Sequence, residues 1–280
     1  MLKHAGTKKD TITVKMHVRT SLTVLLAAAM ILLVCAGPAR AADGKVIPLT
    51  DELKKALAPL GEGVVGKAIP APVIQDPGKT VALGEGVFEF LFTKGAKKAG
   101  KNHNEVCTKL PPKDGNPMWS CKIGDEFIEE IEIKPDGSVL IHDEIAVPYS
   151  YRAHFDPAVS VAQKVAPGES WKVDSKVSIY HVKKDPDKIA HKGTMSVTRT
   201  YAGAYEVTTP AGKFDAYLLV EDYEIHVKPA KVTDKRYTFF APGVGKIAEV
   251  EGLRVSAILI INIHQGTAKV LTKYPKDRKP

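Results

Sequence analysis

Residues 200–252 read TYAGAYEVTTPAGKFDAYLLVEDYEIHVKPAKVTDKRYTFFAPGVGKIAEVEG, and this stretch decides the fold. Proline fixes φ for the first corner of a turn, and glycine supplies the positive φ that a later corner requires. The runs between the turns are rich in valine, isoleucine, threonine, tyrosine and phenylalanine, which favour strands. The stretch therefore predicts an antiparallel meander. Its turn residues are Pro210, Ala211, Gly212, Pro242, Gly243 and Gly245.

These two turns resemble a pattern found in exported bacterial families of unknown function. In those families a V-x-x-P-A-G-x-F strand turn precedes an A-P-G-V-G turn. Here the first pattern spans residues 207–214 and the second spans residues 241–245. The resemblance implies a β-rich domain of the cell envelope, curled in the manner of the lipoprotein-carrier half-barrels, and it carries over no catalytic residue.

Residues 126–147 carry the clearest hairpin signal outside this stretch. Phe127 and Ile131 alternate with polar residues, a Pro-Asp-Gly turn follows, and Ile141 resumes the apolar face on the return strand. Short runs of this kind recur through the chain without a long helical period. We therefore expect a mainly β fold, a curved antiparallel meander sheet or incomplete barrel of roughly ten or eleven strands over residues 81–272.

The region before the sheet, residues 42–80, predicts a short helix and a Pro-rich strap or linker. Thr50 precedes Asp51 and Glu52, which suits a helix cap followed by an acidic first turn. The prolines that follow keep their neighbours extended. We expect the helix to pack outside the sheet or in its mouth, and residues 273–280 to form a polar tail.

Residues 1–41 have the three parts of a secretory signal: a basic start, an apolar run and a small-residue site at residues 39–41. The apolar run is shorter than the ~20 residues of a membrane-spanning helix. We expect cleavage at the end of this site and a location in the periplasm or outside the cell. An uncleaved anchor and a lipoprotein attached through Cys35 are the alternatives. Either Met1 or Met16 is the start.

The charge of the chain argues against nucleic-acid binding. The formal net charge is +8, but the first 41 residues hold six basic side chains and one acidic side chain, which leaves +3 for the remainder. A nearly balanced protein lacks the electrostatic footprint for phosphate backbones. One dense positive cluster is either a solvated loop or a contact for anionic lipid or a polyanionic envelope polymer. It consists of Lys94, Lys97, Lys98 and Lys101.

Two cysteines remain after export, Cys107 and Cys121. In an oxidising compartment an even pair predicts a disulfide, whose loop closure is worth about 3 kcal/mol in the chain-entropy model. The alternatives are free thiols and a metal site that adds His103. That set matches no standard zinc spacing and lacks a fourth ligand, so we expect neither a metal nor a cofactor.

The polar face of the hairpin at residues 126–147 supplies one candidate catalytic set. Strand alternation places its even-numbered residues together, opposite the apolar face. Carboxylates beside a histidine could serve acid–base chemistry or bind a metal, although the solvated face of an amphipathic sheet has the same composition. No catalytic motif occurs elsewhere in the sequence. The set consists of Glu130, Glu132, His142 and Glu144.

The sequence therefore favours an exported, non-enzymatic envelope protein. An apolar or amphipathic ligand such as a lipid would lie in the concavity of the sheet, unless the protein's own side chains fill that space. If they fill it, the protein is an interaction module for another envelope protein or a polyanionic polymer. The alternative is a periplasmic hydrolase or metal-dependent enzyme that uses the acidic hairpin face.

Overall fold

The computed structural model describes residues 44–80, 83–93, 100–257 and 261–278. The predicted secretory signal lies outside these ranges, as does the lysine cluster after Thr93 except for its last member. The predicted mainly β fold with a short N-terminal helix is confirmed. Within the described ranges, no helix is both long and apolar enough to cross a membrane.

Fourteen strands and two short α-helices make up the described fold. In chain order they are β1 (Lys45–Val46), α1 (Asp51–Leu57), β2 (Val65–Ala71), α2 (Pro77–Thr80), β3 (Gly86–Phe92), β4 (Asn102–Lys113), β5 (Asn116–Ile123), β6 (Phe127–Ile133), β7 (Val139–Ala146), β8 (Tyr151–Ala162), β9 (Ser170–His181), β10 (Asp185–Thr209), β11 (Gly212–Val227), β12 (Ala230–Ala241), β13 (Gly245–Ala257) and β14 (Ile261–Lys273). Single 3-10 turns follow α1 and precede β8.

Strands β3 to β14 form a closed antiparallel barrel of twelve strands. Each strand pairs with the next one along the chain, and β14 pairs with β3, so residues 269–273 meet residues 89–92. The sequence predicts a curved meander or an incomplete barrel with roughly ten or eleven strands. The sheet is a meander, but pairing between its first and last strands closes the ring.

Strand β10 is 25 residues long and has three neighbours along its length. Its first part pairs with β9, and its pairing with β11 begins at Gly193. The pairing with β9 ends where Thr200 meets Ser170, the first residue of β9. Farther along β10, residues 204–207 pair with β2 instead. The N-terminal region therefore completes the wall of the barrel where β9 ends.

Both turn sequences that predict the meander connect neighbouring strands. Pro210 and Ala211 lie between β10 and β11, and residues 242–244 lie between β12 and β13. Gly243 has a φ of 75°, a conformation that glycine adopts without the steric penalty of a Cβ. Local turn chemistry therefore sets the order of these strands.

Helix α1 packs against the outside of the barrel. The Thr50 side chain caps the helix and accepts a hydrogen bond from the backbone N–H of Leu53 at 3.2 Å. Leu57 at the end of the helix is buried. Glu52 lies 3.9 Å from Lys235, which is on the outer face of β12. The helix therefore covers the outer surface of the C-terminal strands.

Inward-pointing residues of the barrel strands form the core. Alternation along each strand sends every second side chain into the barrel, as in other closed sheets. Many of these side chains are apolar and almost fully buried, and they include Phe90, Ile131, Ile141, Val177, Val197 and Ile225. Charged residues occupy other inward positions, so the barrel interior is chemically mixed.

Gly193 lies where β10 first meets β11, and it pairs with Val227. A Cβ at this position would collide with the backbone oxygen of His226. We expect Gly193→Ala to lower the free energy of unfolding by about 1–3 kcal/mol, because an added methyl group in a packed site forces the strands to shift. Urea unfolding measures this change.

Gly252 on β13 supplies the matched control. A Cβ there would lie 3.7 Å from its nearest neighbour, the backbone oxygen of Lys235, which is ordinary contact. Gly252→Ala should change the free energy of unfolding by less than about 0.5 kcal/mol. Equal effects of the two substitutions would contradict the close approach at Gly193.

Candidate functional site

A band of charged side chains lies inside the barrel. The sequence-based search did not find it, because inward strand positions are expected to be apolar. The available signal was the phase of β12, where Asp234 and Arg236 follow the buried Val232 at intervals of two residues and so share its face. All the members except Glu251 are buried. They are Glu105, Glu129, Glu144, Arg199, Glu221, Asp234, Arg236, Lys246, Glu249, Glu251 and Lys269.

Two lysines and two glutamates of this band form a lysine–glutamate quartet. The Nζ of Lys246 lies 2.8 Å from Glu105 Oε1 and 3.2 Å from Glu249 Oε2. The Nζ of Lys269 lies 2.8 Å from Glu105 and 2.9 Å from Glu249. Both ammonium groups also lie 5.4–5.7 Å from the ring centroid of Phe90, within cation–π range. Each cation therefore contacts both carboxylates.

Ion pairing outweighs burial in the quartet. Burial acts to raise the pKa of Glu105 and Glu249, but Lys246 and Lys269 lower both values, to well below the usual range for Glu105 and to about 2 for Glu249. Burial acts to lower the pKa of Lys269, but the two carboxylates raise it. Both glutamates and Lys269 therefore remain ionised near neutral pH.

An arginine pair extends the charged band along β10, β11 and β12. Arg236 contacts Asp234 at 3.1 Å and Glu251 at 2.7 Å. The Nε of Arg199 donates to Glu221 at 2.8 Å. Both guanidinium groups approach the ring of the buried Tyr223 on β11: Arg199 lies 5.8 Å from the ring centroid and Arg236 lies 5.4 Å from it. The band is therefore continuous across neighbouring strands.

Two acids in the band have pKa values shifted in the opposite direction. Glu129 is fully buried and stands directly opposite Glu144, so burial and then the charge of Glu144 raise its pKa well above the usual value. Burial and the neighbouring Glu251 raise the pKa of Asp234 in the same way. A carboxyl group with a raised pKa holds its proton at higher pH and can donate a hydrogen bond. The interior therefore contains acids whose pKa values are shifted in opposite directions.

The predicted acidic face contains one close pair, Glu132 and His142. Glu132 Oε2 lies 2.6 Å from His142 Nε2, and the other oxygen accepts from Asn116 at 2.6 Å and from Lys134 at 2.7 Å. Burial acts to raise the pKa of Glu132, but these three partners lower it to about 2. Glu132 is therefore an ionised carboxylate whose side chain is only 1% exposed.

Of the other two residues of the predicted face, Glu130 shares the face of Glu132 and Glu144 does not. The register of β6 and β7 shifts after Glu130, which pairs with Asp143, so that His142 is an extra residue in β7. An extra residue reverses the alternation of a strand. Glu144 consequently stands opposite the buried Glu129, and it does not share a face with Glu130 and Glu132.

The two cysteines lie side by side on β4 and β5. Cys107 and Cys121 form a disulfide with an S–S distance of 2.02 Å, as the sequence predicts. His103, the third member of the alternative metal set, instead lies 3.5 Å from Glu105. Among the residues that the structure describes, no group of histidine, cysteine, aspartate and glutamate is arranged to hold a metal ion.

A groove of about 780 Å³ crosses the outer face of β10 to β14 beside α1. Its floor includes Gly252 and Gly266, which pair across β13 and β14 and leave a depression because neither has a side chain. The apolar lining residues include Ala56, Pro59, Tyr237 and Val250. The polar lining residues include Thr198, Asp222, Lys235 and Arg254.

A second groove of about 560 Å³ adjoins the first, and the two share Ser196 and Glu224 in their linings. It extends over the outer face of β9, β10 and β11 as far as Asp156 and Pro157 on β8. Together the two form one surface, which we call the outer groove. Sequence reasoning missed it, because its walls come from strands and a helix that are distant in the chain.

Comparison with known proteins gives a partial match. Residues 158–249, about a third of the chain, match the model of the DUF3108-like family. A solved structure of an exported protein with a YmcC-like fold, from Bacteroides fragilis, aligns with 15% identity, a TM-score of 0.42 and coverage of 69% of this chain and 97% of that chain. A lipoprotein from Parabacteroides distasonis aligns with 12% identity, a TM-score of 0.32 and coverage of 69% and 96%. No curated protein matches the chain.

We expect Lys269→Met to destabilise the barrel strongly. The substitution keeps a long side chain but removes one of the two cations that Glu105 and Glu249 contact. Breaking a buried ion pair from one side lowers the free energy of unfolding by about 3–5 kcal/mol. Urea unfolding measures the loss. Lys54→Met, which removes an exposed pair with Asp51, is the control and should leave the midpoint unchanged; an equal response would contradict the role of the quartet.

Glu129→Gln and Glu249→Gln should change the pH dependence of stability in opposite directions. The pKa of Glu129 is raised in the folded protein, so this acid destabilises the fold once the pH exceeds the pKa of the same group in the unfolded chain. Glutamine at this position should therefore stabilise the protein at neutral pH. The folded pKa of Glu249 is about 2, so its contribution is present above pH 4.5 and is lost as pH falls towards 2. Glutamine there should destabilise at neutral pH. Urea unfolding across this range measures both, and shifts of equal sign would contradict the assignment.

Proposed function

We propose that this protein is an exported, non-enzymatic binding module of the cell envelope and that it holds an amphipathic ligand in the outer groove. The signal-like residues 1–41 support export. The disulfide supports it as well, because such bonds persist in oxidising compartments. The match to a family of unknown function assigns no reaction to the chain.

The two-sided lining of the outer groove carries this proposal. Ala56 in α1, Pro59 in the 3-10 turn after it and Val250 on β13 supply apolar surface. Lys235 and Arg254 supply charge in the same groove. A ligand with an apolar body and a polar head matches both parts. The volume of about 780 Å³ is within the range of small-molecule sites.

The barrel interior is a less suitable place for such a ligand. Arg199, Arg236 and Lys246 are at most 1% exposed and extend into it. An apolar ligand there would have to displace these side chains from their carboxylate partners and leave charges unpaired, which is strongly unfavourable. We therefore place the ligand in the outer groove and not in the concavity of the sheet, where the sequence predicts it.

The enzymatic alternative has weaker support. Glu132 is engaged by three partners, and its side chain is almost fully buried. Glu144 lies on the other face of the sheet, opposite Glu129. A general base must reach a substrate proton directly or through one water, and these carboxylates do not converge on one accessible point.

A substitution that fills the groove tests the proposal. The side chain of Gly252→Leu would stand on the groove floor, and the position accepts a Cβ because the nearest atom is 3.7 Å away. We expect wild-type protein purified from its own cell envelope to carry an amphipathic molecule, detected by native mass spectrometry and organic extraction. The variant should carry at least about tenfold less of this molecule, because a loss of ~1.4 kcal/mol of binding free energy already lowers the affinity tenfold.

Thr108→Leu is the matched control, because it adds leucine to an exposed position on β4, outside the groove lining. It should retain the bound molecule at the wild-type level. A wild-type protein without any adduct, or equal occupancy in wild type and Gly252→Leu, would show that the outer groove is not the ligand site.

A further inference from the structure

The connection from β9 to β10 forms an exposed basic arm at one end of the barrel. We define the basic arm as residues 182–192, all of which are exposed. Strand β10 pairs here with β9 alone, because its pairing with β11 starts at Gly193. The arm therefore extends beyond the double-sided packing of the barrel. Its charged residues are Lys183, Lys184, Asp185, Asp187, Lys188 and Lys192.

The four lysines of the basic arm form no ion pair with any residue that the structure describes. Three other lysines of the outer surface, in contrast, contact carboxylates at 2.7–3.0 Å; they are Lys122, Lys213 and Lys231. Lys228, in the turn after β11, is another exposed lysine and follows Val227, the partner of Gly193. The positive charge at this end is therefore available to an external partner.

Exposed aliphatic side chains accompany these lysines. Val182 is 39% exposed and Ile189 is 37% exposed, and both belong to the basic arm. Val147, at 37%, lies in the neighbouring turn before β8. That turn is joined to the arm by a hydrogen bond from the Val182 N–H to the Ser150 carbonyl at 2.8 Å. This end of the barrel therefore presents apolar and cationic groups side by side.

Contacts with β8 and β9 hold the basic arm in place. The Nη2 of Arg152 donates to the carbonyl of Pro186 at 3.2 Å. The same guanidinium lies 4.7 Å from the ring centroid of Tyr180, within cation–π range. The arm is consequently a shaped surface that is joined to the barrel wall.

We propose that the basic arm docks this protein onto an anionic membrane surface. Lysines near an anionic leaflet are attracted to its headgroups, and aliphatic side chains beside them enter the interface between headgroups and acyl chains. The apolar pair favours a bilayer over a soluble polyanion, since a polymer chain would engage the lysines and leave Val182 and Ile189 in water. This surface is distinct from the outer groove, so the two proposals stand or fall separately.

Vesicle flotation tests the docking directly. Purified protein is mixed with vesicles of equal parts phosphatidylglycerol and phosphatidylcholine, or of phosphatidylcholine alone. We expect binding to the anionic vesicles only, weakened by added salt. Each lysine near the leaflet changes affinity about fivefold, so Lys183→Gln, Lys184→Gln and Lys188→Gln together should lower the partition coefficient about a hundredfold. Ile189→Ser should lower it several-fold.

Two matched controls separate docking from net charge and from folding. Lys109→Gln, Lys113→Gln and Lys164→Gln together remove the same charge from exposed positions outside the arm and should preserve binding. Val73→Ser, at a site that is 40% exposed, is the control for Ile189→Ser. Absence of wild-type binding to anionic vesicles, or equal losses in the arm and control variants, would overturn the proposal. Binding of polyglutamate without vesicle binding would assign the arm to a polymer and would overturn it as well.

Discussion

Charges enclosed in a closed barrel must neutralise one another, because the interior supplies little solvent to do so. Lys246 and Lys269 reach Glu105 and Glu249 only in the observed register of β13 and β14 and only when β3 joins β14 to β4 and closes the ring. A slip by one residue would send a strand's inward set to the outer face. Apolar burial supplies most of the stability of a core, whereas a buried ion network is sensitive to the loss of any one partner. The quartet therefore constrains register and closure together.

The meander was predictable because its information is local. Turn residues such as Pro210 and Gly243 act within a few positions, and each barrel strand pairs with its neighbour in sequence. Closure was not predictable, because it depends on a contact such as that between Lys273 and Glu89, which are 184 positions apart. The charged interior escaped prediction for another reason. Aspartate and arginine are residue types usual on the outer face of a sheet. Only the two-residue spacing of Asp234 and Arg236 from the buried Val232 indicates that they point inward.

The candidate sites show the same division between local and distant information. The disulfide followed from the number of cysteines, and its two partners are directly paired on neighbouring strands. The acidic face rested on an alternation of period two, which one extra residue at His142 reverses. The outer groove combines α1 with strands that follow it by well over a hundred residues, and the facing glycines Gly252 and Gly266 are recognisable as a floor only after their register is known.

The order of strands around the barrel also bears on how the chain matures. Neighbouring strands can pair as soon as each is synthesised, since short loops close at small entropic cost. The pair between β3 and β14 must wait for the C-terminal strand. Until then the growing sheet has two open edges that carry unpaired N–H and C=O groups, and such edges are templates for association with other chains. Pairing of β14 with β3 therefore protects the protein from aggregation, and a chain truncated before β14 would keep both edges exposed.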